Sequence, residues 1–482
     1  MEHQYTSTEI KERFDEVSGK TLGQIDEEKN NGRDFERTIE NPKITGIAGD
    51  VIEHSILGYG SDTKQEADIE IDGKQVEVKT TGLTGELGNP ESYKAKERIT
   101  ITNISPHKLV KETFETSALW NKLENTLLVY YLYDSKKPVK AAEYANFPYL
   151  GYQLHEFPEA DLKTIMNDWK IIQDFCLAQD VIDKKNEAQA KAYSAAKKSM
   201  MYLETAPGWK NGPRFALKQS YVTSIIKEHF TNQNVDEENN ISSYAELDAF
   251  LSENSKRYQS RRVGEIAKEL GISSSSKALA SKLIKHILEP NTGDDEVGIV
   301  EKSGMVIKAR TMYSDGRKKE DCKFFTLDFD EFRDADGDVT ETEAYRYFDN
   351  NQFIFPIFKK DGNAKMQDDS FVGFKRFSFS EEYLEEYLKP VLQQIQDLVA
   401  NHKFEVTPRL NKAGNPIMNE EKDTQQETNN LPKARYNNFF LRGTSSDSTH
   451  KPLELNGYYI YNQQIWLKGQ ELLKLLDDVE YI

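Results

Sequence analysis

Ala67-Asp-Ile-Glu-Ile-Asp-Gly-Lys-Gln-Val-Glu-Val-Lys79 is the stretch on which the reading of this 482-residue chain turns. Ile69 and Ile71 alternate with Asp68 and Glu70, the period of a half-buried strand. Asp72-Gly73 supplies the backbone freedom of a tight hairpin turn, and Val76 and Val78 resume the alternation on the return strand. That period turns Glu77 and Lys79 to one face. Two carboxylates, Asp68 and Glu77, therefore converge with a lysine beside a short hairpin.

Hard oxygen ligands of this kind suit Mg²⁺, which takes one or two carboxylates together with waters and phosphate oxygens. A neighbouring ammonium can place an attacking water or offset charge on a phosphate. Many DNA-cutting nucleases use this spacing, although a Glu-x-Lys on a strand is also frequent as a solvated surface pair. A third carboxylate adds to it. In Thr45-Gly-Ile-Ala-Gly-Asp-Val-Ile-Glu53, Val51 and Ile52 join Ile56 on one apolar helical face. Glu53 stands at the edge of that face and is expected to turn toward the hairpin.

Downstream, Ala95-Lys-Glu-Arg-Ile-Thr-Ile-Thr-Asn103 reads as a strand, followed by Phe114-Glu-Thr-Ser-Ala-Leu-Trp-Asn-Lys122 and the apolar strand Leu127-Leu-Val-Tyr-Tyr-Leu132. The order of these segments resembles MutH, the mismatch-repair nicking endonuclease, and more closely the type II restriction endonucleases of the Sau type that cut at GATC. The resemblance rests on Gly49-Asp50 and Glu53, Asp68, Gly73 with Val76-Glu-Val-Lys79, Lys96-Glu-Arg98, Glu115-Thr-Ser117, and Arg214-Phe-Ala-Leu-Lys218 running into Tyr221-Val-Thr-Ser-Ile225. It covers most of the first 230 residues in constant order. It implies an α/β fold of the restriction-endonuclease-like PD-(D/E)XK type, a mixed sheet flanked by helices. It makes Asp68 and Glu77 the metal ligands, Lys79 the residue that orients the water, and Glu53 the acid that completes the metal site. Where the family has a lysine ahead of Glu53, this chain has Thr45, with Lys43 the nearest substitute. Lys122 is a weaker candidate for that lysine than Lys43, since a lysine on a polar helix face is usually solvated.

A net charge of −18 excludes a general nucleic-acid coating protein, which would be basic. DNA binding depends on local charge, however. The stretch from Lys184 to Lys218 is rich in lysine, with Tyr193, Tyr202 and Trp209 interleaved. A solvated helix face would account for such lysines. With the resemblance, Lys191, Lys197, Lys198, Arg214 and Lys218 become the expected DNA-gripping residues. Cys176 and Cys322 lie far apart, and the 8 histidines lack ligand spacing, so neither a disulfide framework nor zinc chemistry is expected. No apolar run is long enough to span a bilayer and the opening residues do not form a secretory signal, so a cytoplasmic protein is expected.

The polar, acidic stretch Phe230–Ser243 reads as a linker dividing a catalytic domain, 1–235, from a second domain, 236–482. Beyond it the chain begins again, which predicts a tandem duplication. Ala280-Ser-Lys-Leu-Ile-Lys-His286 repeats Ala48-Gly-Asp-Val-Ile-Glu-His54, and Gly304-Met-Val-Ile-Lys308 repeats the end of the quoted stretch. Glu341-Thr-Glu-Ala-Tyr345 before Phe353-Ile-Phe-Pro-Ile-Phe358 repeats Glu115-Thr-Ser-Ala-Leu119 and its strand, and Gln464–Leu473 stands for Tyr221–Ile225. Lys285 replaces Glu53 and Val306 replaces Glu77, so the second copy cannot cage a hard cation. Ser273–Ser276 and Met418–Asn430 read as flexible loops. The resemblance implies double-stranded DNA as substrate, held at two target sites at once with the silent half as an effector, dimerisation on DNA, and a cognate DNA methyltransferase. A nickase serving repair and a non-catalytic DNA-binding regulator remain the alternatives.

Overall fold

Asp72 and Gly73 decide the first hairpin. Both take left-handed φ angles, 50° and 82°, and Ile71 pairs with Lys74 across them. Two central residues at positive φ form the tight turn whose twist matches the flanking strands. The computed structural model describes residues 3–42, 44, 46–60, 67–135, 139–231, 241–273, 279–288, 298–313, 320–360, 365–419, 424–444 and 450–482. Its contacts divide it into two units. The first takes in Met1–Asn254 and Ile284–Val306, the second Ser255–Leu283 and Ile307–Ile482.

In the first unit the hairpin belongs to a six-stranded mixed sheet. Its strands are β1 (Gln4–Tyr5), β2 (Ile69–Ile71), β3 (Lys74–Glu86), β4 (Asn89–Ala95), β6 (Thr126–Leu132) and β7 (Tyr149–His155). The order is β1-β2-β3-β6-β7, with β4 folded back on the far end of β3. β3 runs parallel to β6, Glu77 beside Thr126 and Lys79 beside Leu128, and β6 runs antiparallel to β7. Every residue of β6 is buried, which explains its unbroken apolar run: it is covered on both faces. β5 (Ile99–Asn103), β8 (Leu203–Ala206) and β9 (Arg214–Leu217) form a separate antiparallel sheet with β9 central.

One face of the mixed sheet receives the amino-terminal helices. Phe14, Val17, Leu22, Ile25, Val51 and Ile52 pack with Ile69, Val76, Val78, Leu127 and Val129 in one core. Burying each such side chain is worth about 1.5–3 kcal/mol, and together they fix the helices that position the acidic residues. The helix Ile47–Val51 loosens into a π-helical turn, Ile52–Leu57, a local geometry common at functional sites.

In the second unit, Phe353–Lys360 runs parallel to Arg310–Tyr313 and antiparallel to Ser370–Phe377. In a separate sheet, Gln463–Leu467 lies between Cys322–Thr326 and Phe439–Gly443, antiparallel to both. Phe324, Phe348, Phe353, Phe379 and Phe439 fill its core. Residues 232–240 of the expected linker, Phe230–Ser243, lie outside the described residues, while Phe230 still belongs to the helix Gln219–Thr231; Lys43, Thr45 and parts of both expected loops also lie outside them. No helix among the described residues is long and apolar enough to cross a membrane.

Candidate active site

Glu77 enters the site from the middle of the sheet. Its N–H donates to Asn125 O at 3.0 Å where β3 meets β6, and its side chain is 1% exposed. Burying a carboxylate this deeply costs several kcal/mol unless it is paired. Oε1 accepts from Lys79 Nζ and from Lys122 Nζ, each at 2.7 Å. Oε2 is buried and has no hydrogen-bond partner among the described residues. Lys79 reaches it from two residues along the strand, as the alternation requires.

Lys122 comes from elsewhere. It sits in the last turn of the helix Ala118–Leu123. Ser117 caps that helix, its Oγ accepting the Trp120 N–H at 3.1 Å and donating to Phe114 O at 2.6 Å. The helix leads straight into β6, so the β3–β6 register brings Lys122 onto Glu77 across 45 residues of sequence. Lys122 is therefore not the solvated lysine expected; it is a second cation on a buried carboxylate.

Asp68 precedes β2, and its Oδ2 accepts the Val78 N–H at 2.8 Å, which ties it across the hairpin beside Glu77. Burial, and the charge of Glu77 next, push its carboxyl above the usual range. Glu53 lies in the π-helical turn, partly buried. Burial, then the charges of Asp68 and Asp50, hold it at about 7. Next to it, His54 Nδ1 contacts Asp34 Oδ1 at 2.7 Å. Tyr59 closes the turn. Its N–H donates to Glu53 O at 3.0 Å, its ring lies 4.9 Å from that of His3, and its buried hydroxyl has no partner.

Asp68 and Glu77 are thus brought together near the start of β3, with Glu53 within the field of Asp68, and the repulsion among these charges is what a cation relieves. The donor set fits Mg²⁺: carboxylate oxygens only, one of them buried and unpaired. Among the described residues no three acidic, histidine or cysteine side chains form a closed metal cage. In phosphate chemistry such an ion uses one or two carboxylates and completes its shell with waters and phosphate oxygens.

The expected DNA-gripping residues separate. Lys191 is exposed, and Lys197 and Lys198 are partly exposed, at the end of the helix Glu187–Lys197 and its cap. Arg214 is exposed at the start of β9. Lys218 is a correction. It is 7% exposed, and its Nζ donates to Met200 O at 2.6 Å. Asp168, which accepts the N–H groups of Met201, Tyr202 and Leu203, balances its charge. Lys218 pins two loops together and offers nothing to a phosphate. In the second unit Lys308 has no carboxylate to hold: its Nζ donates to Phe324 O at 3.1 Å and lies 5.5 Å from that ring.

Residues 57–168 match the family model described as DNA mismatch repair enzyme MutH. The whole chain is 23% identical over 521 residues to the type II restriction enzyme Sau3AI of Staphylococcus aureus, covering 99% of this chain and 100% of that one. The chain is MutH- and Sau3AI-like. Asp68, Glu77, Lys79 and Lys122 all fall within the MutH-like segment, with Glu53 just ahead of it. The Sau3AI likeness extends through the second unit. Tyr59 is what sequence reasoning missed here, and Lys122 is what it ranked too low. The signal for Lys122 was its place before the strand that pairs with β3; for Tyr59 there was none beyond proximity to Glu53.

Proposed function

We propose that this protein is a Mg²⁺-dependent type II restriction endonuclease that cleaves double-stranded DNA at GATC. The class, a type II site-specific deoxyribonuclease, follows from the MutH and Sau3AI likeness. The observation that carries the mechanism is Glu77, with two ammonium groups on one oxygen and the other oxygen free.

Asp68 and Glu77, with Glu53 beside them, would hold Mg²⁺, which when bound would supply Lewis-acid polarisation of the phosphate and a water of lowered pKa. The protein's own groups do the rest. An ammonium has three donors, and Lys79 and Lys122 each spend one on Glu77. Lys79 aims the attacking water with a remaining donor. Lys122 faces the negative charge that builds on the phosphoryl oxygens, where a preorganised cation acts most strongly. The water gives up a proton to solvent as its oxygen bonds to phosphorus, the bond to the sugar oxygen breaks, and that oxygen leaves with a proton from solvent. Arg214, Lys191, Lys197 and Lys198 grip the duplex.

The second domain, from about residue 236, is a silent nuclease fold that holds a second target. Its strand order and polarity support a duplication: a central strand with one parallel and one antiparallel neighbour, and a separate antiparallel sheet whose last strand is central and leads into a helix. The protein dimerises on DNA and works in the cytoplasm beside a methyltransferase that protects the host sites.

Supercoiled plasmid incubated with Mg²⁺ or with chelator tests the reading, followed by sequencing of the ends. Linear products with ends in GATC, absent in chelator and from Asp68→Ala or Glu77→Ala, are expected, with faster cutting of two-site than of one-site plasmids. Persistent nicked circles would make the protein a nickase. Specific binding without turnover would make it a regulator.

A further inference from the structure

Two buried polar atoms of the first unit lack partners among the described residues, and the charge of Glu77 is felt at the Tyr59 hydroxyl. Glu77 Oε2 can only accept a hydrogen bond while ionised, and the Tyr59 hydroxyl can donate one. Glu77 is 1% exposed and Tyr59 7%. Leaving either group unpaired costs about 1–3 kcal/mol, and native proteins leave few such groups without a reason.

Tyr59 is held firmly where it stands. Its N–H is fixed by Glu53 O, its ring centroid lies 4.9 Å from that of His3, and it belongs to the core that holds Val51 and Ile52 on either side of the π-helical turn's start. A hydroxyl serving packing alone would be better replaced by phenylalanine. Burial, then the charges of Glu53, Asp68 and Glu77, hold the hydroxyl in its protonated, donating form.

We propose that Tyr59 is a positioning residue of the cation site, its hydroxyl donating to a water held between it and the unpaired oxygen of Glu77 when a divalent cation is bound. This rests on the metal-dependent reading above. Groups of this outer kind orient the ligands that touch the ion, and their loss costs roughly 10–100-fold in metal affinity or activity. The proposal also has a consequence without metal: in the metal-free protein the hydroxyl is a burden, so its removal should not destabilise the fold.

The test uses the full chain and its Tyr59→Phe variant, with Mn²⁺ as the probe. In chelator the variant should melt at or above the wild-type midpoint. In calorimetric titration it should bind Mn²⁺ roughly tenfold or more weakly. Its midpoint should also rise less when Mn²⁺ is added. Equal Mn²⁺ affinity in the two proteins, or a lower midpoint in chelator, would make Tyr59 a core residue only and overturn the proposal. Wild type that binds Mn²⁺ no better than Asp68→Ala would overturn the metal reading itself, and this proposal with it.

Discussion

Glu77 keeps its charge away from water because two ammonium groups share one of its oxygens. Removing either lysine should leave the fold and DNA binding in place and lower the rate of the chemical step. Lys122→Met and Lys79→Met are each expected to slow single-turnover cleavage by roughly 10²–10³-fold, with binding measured in Ca²⁺ unchanged. A Lys122→Met enzyme that cuts at the wild-type rate would reduce Lys122 to a counter-ion. A second residue makes a claim on pH. His155 is 8% exposed, its Nε2 has no partner, and burial lowers it to about 4 from an ordinary 6.5. Burial is the largest cause, followed by Asp161, which pulls it up, His229, which pushes it down, and the smaller opposing effects of Glu156 and Lys302. The folded state therefore resists the proton that the unfolded chain accepts. This stability is present above pH 6.5 and is lost as pH falls toward 4, by on the order of 3 kcal/mol. His155→Leu should flatten the fall in denaturation midpoint between those two pH values; an unchanged slope would assign the acid sensitivity to other groups.

At the scale of the element, what was local in sequence was legible. The hairpin around Asp72-Gly73 and the alternation that carries Glu77 and Lys79 need only neighbours in the chain, and both stand as read. Lys122 and Lys218 were misread for one reason. Whether a lysine on a short helix or after a strand meets water depends on which element covers it. That is set by pairings across 45 residues for Lys122, and by Met200 and Asp168 for Lys218. The helix Ala118–Leu123 shows how such an element reports on the site. It is only 6 residues long and depends on its cap. Ser117→Ala should cost about 1 kcal/mol in stability. Because this helix carries Lys122, the variant should also lose cleavage rate on warming before it unfolds, as followed by parallel activity and circular dichroism measurements. Loss of both together would show that the cap supports the whole unit and not the lysine alone.

Across the whole molecule, the segment Ile284–Val306 belongs with the first unit although it follows residues of the second. Lys302, in the helix Ile299–Lys302, explains the attachment. Its Nζ lies 2.8 Å from Asp161 Oδ1, Tyr221 donates to the other oxygen at 2.9 Å, and Ser220 Oγ donates to Lys302 O. Both charged side chains are over nine-tenths buried. Removing one partner of such a pair typically costs 3–5 kcal/mol, whereas replacing both with apolar groups often costs little. Lys302→Met is expected to show that loss in a denaturant titration, and Asp161→Leu with Lys302→Met to recover most of it. A single variant as stable as wild type would mean that the segment is held by its apolar contacts.

The same segment bears on how the protein is made. A ribosome delivers about 5–20 residues per second, so a first unit that needs Ile284–Val306 cannot close when Asn254 emerges. It waits several seconds more, until part of the second unit has also been synthesised. Nascent chains arrested shortly after Asn254 should yield to protease where chains arrested well past Val306 resist it. A cell translating this message would meet a closed first unit only after more than half of the polypeptide exists, and a product aborted before Val306 would lack part of it.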